Sequence, residues 1–216
     1  GLVSRLDAGD GRECLAGPLL QGLVVRDEGD AWGTDRWSYR DVVGQFECVT
    51  DSVRMIEQGP VRNITQSVLT YRSSRIVLHT IGYALWPVLE FRLRVHWNEE
   101  RQRLKLSVPT RMADAVLQCE VAGGAIHRPA DGQEHVHRRW LILTGTLDGR
   151  ATSLAVINNG QNGYDCAGGE VRLSALRSAA YCHERGFAID RGPARKFMDQ
   201  GTHDLRLLVT VGSRDE

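Results

Sequence analysis

The sequence lacks any run of about 18 consecutive apolar residues, so it carries no signature of a membrane-spanning helix. Its first residues also lack the charged and then apolar pattern of a signal peptide. A net charge is missing as well, because 27 basic residues balance 27 acidic ones. No overall field therefore favours nucleic acid or an anionic surface, and we expect neither a nucleic-acid partner nor a membrane partner.

Cysteine is sparse and scattered, with five residues and no Cys-x-x-Cys pair among Cys14, Cys48, Cys119, Cys166 and Cys182. This spacing supports neither a structural zinc site nor a thioredoxin-type motif. Scattered free thiols are typical of a reducing compartment, so we expect a cytoplasmic location.

Familiar catalytic motifs are also missing. The sequence contains no Gly-x-Ser-x-Gly, no dinucleotide-binding glycine motif and no P-loop, and no pair of carboxylates singles itself out for glycosidic acid–base chemistry. On a strand, His135 and His137 would share one face, with His127 and Glu134 nearby, which could begin a metal site. No third ligand is indicated, and a solvated strand face is the alternative interpretation. The residues alone show no complete active site.

No apolar stripe with the helical period of 3.6 residues extends over about ten residues or more, which favours an all-β fold. The clearest pattern is the alternation over Val88–Trp97, followed by Leu104, Leu106 and Val108. It predicts a long antiparallel hairpin that turns at residues 98–101, with one dry face that is buried and one wet face that is exposed to solvent. Further strands are predicted at Val42–Val49, Ser52–Glu57, Val61–Tyr71, Arg75–Tyr83, Ala115–Val121, His137–Gly145, Ala151–Asn158, Val171–Leu176 and Asp204–Val211.

These strands predict a large antiparallel β-sandwich, with residues 1–216 forming a single domain. The dry face of the hairpin, formed by Leu89, Phe91, Leu93 and Val95, is predicted to lie in the core. Residues 178–192 and 194–201 are the least strand-like segments, and we expect a long connection there with some helical turn.

The most distinctive stretch of the sequence runs from Leu154 to Ser178. An apolar run ends in a cluster of Asn, Gln and Gly over residues 158–163, and a second turn is predicted at Gly168-Gly169. Asn side chains and Tyr164 on a rigid hairpin tip are suited to binding sugar hydroxyls. The alternative is a turn with a purely structural role.

Five short stretches, in the same order, resemble the C-terminal region of the α-mannosidases of glycoside hydrolase family 38. They are Asp30-Ala31-Trp32-Gly33; Val95-His96-Trp97-Asn98-Glu99 with Leu104-Lys105-Leu106; Gly124-Ala125-Ile126-His127-Arg128-Pro129; Leu154 to Asn159 with Gly163-Tyr164-Asp165 and Arg172 to Ser178; and Asp199-Gln200-Gly201-Thr202-His203. Together they span nearly the whole chain. The Gln161-Asn162 pair departs from the shorter turn that is usual in the family.

The resemblance implies a supersandwich like the galactose-mutarotase fold, and a zinc-dependent, retaining hydrolysis of terminal α-mannosides. It also implies that the zinc, its ligands and the nucleophile belong to an N-terminal catalytic barrel that no part of this chain matches. The chain starts at Gly1 rather than Met, so we expect the C-terminal portion of a longer enzyme, inactive alone and without a cofactor of its own.

The resemblance further implies that loops of this domain complete the sugar pocket. The expected substrate-binding residues are Asp30, Trp32, Asn158, Asn159, Asn162 and Tyr164, with Trp32 as an apolar platform and the others as hydroxyl partners. The expected partners are α-mannoside glycans, through the full-length enzyme, and the barrel itself; a homo-oligomer is also compatible with the sequence. Two alternatives stay open, namely a stand-alone carbohydrate-binding or scaffold module, and an autonomous hydrolase that uses carboxylates within this chain.

Overall fold

A computed structural model describes residues 1–29, 36–180 and 196–213, and these residues contain sixteen strands and no helix. The strands are β1 (Gln21–Arg26), β2 (Val42–Gln45), β3 (Glu47–Cys48), β4 (Arg54–Gln58), β5 (Arg62–Tyr71), β6 (Ser74–Tyr83), β7 (Leu89–Trp97), β8 (Gln102–Pro109), β9 (Ala113–Val121), β10 (Gly124–Arg128), β11 (Asp131–Val136), β12 (Trp140–Leu147), β13 (Arg150–Asn158), β14 (Gly163–Ala167), β15 (Glu170–Arg177) and β16 (Gly201–Ser213). In this part of the chain there is accordingly no helix that could cross a membrane.

The strands form two antiparallel sheets. The smaller sheet has six strands in the order β11-β14-β15-β8-β1-β2. The larger sheet has ten, in the order β10-β9-β12-β13-β16-β7-β6-β5-β3, with β4 also paired to β5. One hydrophobic core contains side chains from both sheets, among them Leu104, Leu106 and Leu173 from the smaller sheet and Phe91, Leu143 and Val156 from the larger one. The predicted all-β, antiparallel sandwich is therefore confirmed.

Strand β7 shows why the alternation was informative. Phe91, Leu93 and Val95 are buried in the core, as predicted, and Leu89 packs against it. The intervening arginines are exposed on the other face. Because successive side chains of a strand point to opposite faces, this pattern fixes which face of the larger sheet meets the smaller one.

The predicted hairpin between β7 and β8 is wrong. Strand β7 pairs with β6 and β16 in the larger sheet, whereas β8 pairs with β1 and β15 in the smaller sheet. Residues 98–101 carry the chain from one sheet to the other. The crossing is fixed at Ser178, whose hydroxyl accepts a hydrogen bond from the buried Trp97 indole and whose carbonyl accepts one from the Arg101 N–H at 2.9 Å.

The predicted wet face of β8 is also wrong, because Arg103, Lys105 and Ser107 are all buried. Lys105 Nζ donates to Glu134 Oε2 at 2.5 Å and forms an ion pair with Asp165. Strands β11 and β14 supply these two carboxylates, so the face is covered by counter-charges rather than by water.

The other two polar residues on this face are paired as well. Arg103 Nε lies 2.8 Å from Asp27 Oδ2, and Ser107 donates to Glu170 Oε1 at 2.6 Å. The pKa of Glu170 is lowered, because hydrogen bonds from Arg172 and Ser107 outweigh the effect of burial. The polar residues of β8 are thus part of a buried ionic network within the smaller sheet.

The predicted connection over 178–192 lies mostly outside the described residues, and so do residues 194 and 195. Residues 196–201 are described and contain no helix: Phe197 forms an isolated antiparallel bridge with Ala180, and Gly201 begins β16.

Candidate functional site

Two segments cross between the sheets side by side. Residues 137–139 connect β11 of the smaller sheet to β12 of the larger one, and residues 159–162 connect β13 of the larger sheet to β14 of the smaller one. The crossings are adjacent because β11 pairs with β14 and β12 pairs with β13. Backbone hydrogen bonds join them, from the His137 N–H to the Asn162 carbonyl at 2.8 Å and from the Asn158 N–H to the Arg139 carbonyl at 2.7 Å.

A surface cleft of about 680 Å³ lies at these crossings. Its lining residues are polar or charged apart from one glycine: His137, Arg138, Arg139, Asn158, Asn159, Gly160 and Asn162. Three of the six predicted substrate-binding residues therefore line one cleft. Two of the others, Asp30 and Trp32, lie outside the described residues.

Asn158 holds the turn of the cleft in shape. Its side-chain oxygen accepts hydrogen bonds from the Gly160 N–H at 2.8 Å and the Gln161 N–H at 2.9 Å, and its amide nitrogen donates to the Arg138 carbonyl at 3.3 Å. This is the local side-chain-to-backbone bonding that favours Asn in turns. The side chain of Asn158 is therefore committed to the two crossings, and its role toward a substrate stays a prediction.

Asn159 and Asn162 are the exposed amides of the cleft. The Asn159 side-chain oxygen accepts a hydrogen bond from the Arg206 N–H at 2.9 Å, which orients this amide. The Asn162 side chain has no hydrogen-bond partner among the described residues. Both amides are accessible to a ligand, although substrate binding by either one stays a prediction.

Tyr164 lies beneath the cleft and is fully buried. Its hydroxyl lies 3.8 Å from Cys119 Sγ, and burial raises the pKa of Tyr164. The rings of His137 and His135 pack against it with centroid distances of 5.2 and 5.9 Å. In this structure Tyr164 supports the His137 ring from within the core, and its predicted contact with a sugar hydroxyl stays a prediction.

His137 is a cleft residue that the sequence suggested only as a metal ligand. The residue is 3% exposed, and both ring nitrogens are buried without a hydrogen-bond partner of normal geometry. Burial lowers the pKa of His137, although polar backbone groups of Trp140 and Gln161 favour the charged ring and so oppose this shift. At neutral pH the ring is therefore uncharged, with one N–H donor and one acceptor nitrogen.

The hypothesis of a metal site on this strand receives no support from the described residues. They contain no group of three or more His, Cys, Asp or Glu side chains placed to hold a metal ion. His135 Nε2 instead lies 3.0 Å from Asp131 Oδ1. Strand β11 ends at Val136, so His137 belongs to the crossing rather than to the strand.

A groove of about 560 Å³ on the exposed face of the larger sheet meets the cleft at Asn159. The arginines along this groove are paired with acids. Arg94 Nε lies 2.9 Å from Asp204 Oδ1, and Arg206 Nε lies 2.8 Å from Glu90 Oε1. The groove therefore differs from the cleft, where Arg138 and Arg139 have no ion-pair partner among the described residues.

These features define the class of the protein as a large antiparallel β-sandwich domain with a polar cleft where the chain crosses between its sheets. Residues 1–185 match the family model described as the glycosyl hydrolases family 38 C-terminal domain. The chain belongs to this family. A search of curated protein sequences finds no significant match.

Solved structures have the same fold. The chain is similar to an α-mannosidase from Enterococcus faecalis V583, with 14% identity and a TM-score of 0.72 over 96% of this chain. It is equally similar to a glycosyl hydrolase family 38 protein from Enterococcus faecalis, with 14% identity and a TM-score of 0.74 over 96% of this chain. The match covers 27% of the first of those chains and 28% of the second.

Proposed function

We propose that the chain is the C-terminal β-sandwich of a zinc-dependent, retaining α-mannosidase and that its cleft completes the pocket for a terminal α-mannoside. The single observation that carries this proposal is the cleft of Asn amides around His137, which lies within the region matched by the family. A hydroxylated ligand is best held by several donors and acceptors in fixed positions, and the cleft provides them.

Each residue of the cleft has a distinct role in this proposal. The amides of Asn159 and Asn162 donate to and accept from sugar hydroxyls, and His137 forms part of the cleft wall. The hydrogen bonds of Asn158 and the ring of Tyr164 keep these groups in place before the ligand arrives. Such preorganisation lowers the entropic cost of binding.

Other parts of the proposal concern the remainder of the enzyme. Zinc and the nucleophile are assigned to a catalytic barrel that precedes this chain in the longer protein and contacts it, so that this domain binds and orients the sugar. Asp30 and Trp32 are assigned to the same pocket as a second loop. We also propose a cytoplasmic location, because Cys14, Cys48, Cys119 and Cys166 are all free thiols.

A stand-alone carbohydrate-binding module is the second candidate. The observation that favours it is that the hydrogen bonds of Asn158 hold the turn of the cleft in shape from within this domain. The two candidates differ in whether hydrolysis accompanies binding.

The test is hydrolysis of an aryl α-mannoside by this chain and by an N-terminally extended form of the protein, each with and without zinc. Activity only in the extended form, and only with zinc, is expected. Within it, Asn162→Ala should raise KM about three- to tenfold because one hydrogen bond to the sugar is lost. The control is Asn98→Ala, an exposed amide at the crossing between β7 and β8. Activity in this chain alone, or equal KM values for the two variants, would contradict the proposal.

A further inference from the structure

We infer that the cleft recognises a sugar bearing an anionic group, a phosphate or a carboxylate, through Arg138 and Arg139. The inference rests on the proposed function, because it takes the sugar-binding role of the cleft as given and narrows the class of its ligand.

The first argument is the unmatched charge of the cleft. Arg138 and Arg139 are consecutive, exposed and in its lining, and no carboxylate of the described chain forms an ion pair with either guanidinium. Glu120 is the acid closest in the hydrogen-bond network, but it contacts the backbone. Its carbonyl accepts from the Arg138 N–H and its Oε2 accepts from the Arg139 N–H, both at 2.9 Å. The lining therefore contains two positive charges and no negative one.

The second argument is that the backbone of the two arginines is held rigidly. Both of their N–H groups are bonded to Glu120, the Arg139 carbonyl accepts from the Asn158 N–H, and the Arg138 carbonyl accepts from the Asn158 amide. Little backbone ordering is required when an anion binds. Guanidinium groups also match the geometry of phosphate and carboxylate oxygens and can donate two parallel hydrogen bonds.

The size of the cleft agrees with such a ligand. Its volume of about 680 Å³ lies within the usual range of about 300–1,000 Å³ for small-molecule sites. The exposed amides of Asn159 and Asn162 lie beside the two guanidinium groups in this lining, so a hexose can be contacted while its anionic group meets the arginines.

The test is a set of calorimetric titrations of this chain at low salt with four probes: methyl α-mannoside, mannose 6-phosphate, mannuronate and inorganic phosphate. We expect a charged sugar to bind at least about tenfold more tightly than the neutral one. The variant Arg138→Gln/Arg139→Gln should abolish this preference. Arg72→Gln/Arg75→Gln is the control, because it removes the same charge from exposed residues outside the cleft.

The probes also identify the anionic group. A preference for mannose 6-phosphate indicates a phosphorylated ligand, and a preference for mannuronate indicates a carboxylated one. Added salt should weaken binding of the preferred probe and leave the neutral sugar unaffected.

Four outcomes would overturn the inference. Equal affinity for neutral and charged sugars, or a charge preference that survives Arg138→Gln/Arg139→Gln, would remove the anion selectivity and leave the proposed sugar site intact. Inorganic phosphate could bind as tightly as mannose 6-phosphate while methyl α-mannoside does not bind. This result would show an anion site that does not recognise sugar, and it would count against the proposed function as well. No binding of any probe would overturn the inference outright.

Discussion

Replacing Lys105 by Met should destabilise the domain by about 3 kcal/mol. Both Lys105 and its partner Asp165 are 0% exposed, and Glu134 is its second partner. Removing one member of a buried ion pair costs about 3–5 kcal/mol, because the other charge is left without compensation. Arg40 remains beside Asp165 and Arg103 beside Glu134, so the expected loss lies at the lower end of this range.

The pH dependence of this loss follows from the two carboxylates. Burial raises the pKa of Asp165 even though Lys105 and Arg40 oppose the shift. Without Lys105 the pKa of Asp165 should rise further, because the ionised form loses a stabilising charge. Protonation relieves the unpaired charge, so the difference in stability between wild type and variant should be larger at pH 7 than at pH 4.

Urea titration of the wild type and Lys105→Met measures the loss, and thermal unfolding should show a Tm lower by about 6–12 °C for a domain of this size. Arg94→Met on β7 is the matched control, since Arg94 and Asp204 form an ion pair that is 67% and 68% exposed. Exposed pairs contribute about 0–1 kcal/mol. If the two variants lost equal stability, the charged face of β8 would not be buried and paired as described.

Three further predictions concern the core, the pH dependence of stability and the cleft turn. Phe91→Ala should lower the free energy of unfolding by about 3–5 kcal/mol in urea titrations. The control Val116→Ala, at a residue that is 52% exposed, should cost less than about 1 kcal/mol. A loss for Phe91→Ala as small as that of the control would reverse the assignment of faces. Burial opposes ionisation of Glu90, but hydrogen bonds from three side chains outweigh it and lower its pKa from 4.5 to about 2. The folded pKa lies below the unfolded one, so this stabilisation is present above pH 4.5 and is lost as the pH falls toward 2. Glu90→Gln should therefore flatten the dependence of unfolding free energy on pH in this window, and an unchanged slope would count against the shift. Asn158→Ala should lower stability by about 1–2 kcal/mol through loss of the turn bonds, whereas Asn159→Ala removes only one exposed hydrogen bond and should cost less. Equal urea midpoints would show that Asn158 does not hold the turn.

Strand positions could be predicted from the sequence because the alternation of side chains is local. Residues 89–97 form a strand with Phe91 inward, and Gly168 and Gly169 adopt φ values of 56° and 78° at the turn between β14 and β15, as predicted. Strand partners could not be predicted in the same way. A four-residue turn after Trp97 is compatible with a hairpin, and only the distant partners of the two strands, β6 and β16 for β7 and β1 and β15 for β8, make the chain change sheets there.

The polar face of β8 and the candidate cleft depend on contacts that are distant in sequence. Lys105 contacts carboxylates that lie 29 and 60 residues away in the sequence. Its alternation with apolar neighbours therefore predicted exposure to solvent, whereas in the fold Lys105 is buried against these counter-charges. The Asn-rich turn could be predicted, since its hydrogen bonds are local. Its neighbour at 137–139 could not, because the contact between His137 and Asn162 exists only once β11 pairs with β14 and β12 with β13.

Strand β16 is the last of the described strands, and it lies in the middle of the larger sheet. On one side of it lie β13, β12, β9 and β10, and on the other lie β7, β6, β5 and β3, so within the described residues hydrogen bonds connect these two halves only through β16. During synthesis on the ribosome, the larger sheet therefore cannot close until residues 201–213 have emerged. A chain that stops before Gly201 would leave β13 and β7 as two long exposed edges, which are the features that lead unfinished β proteins to aggregate.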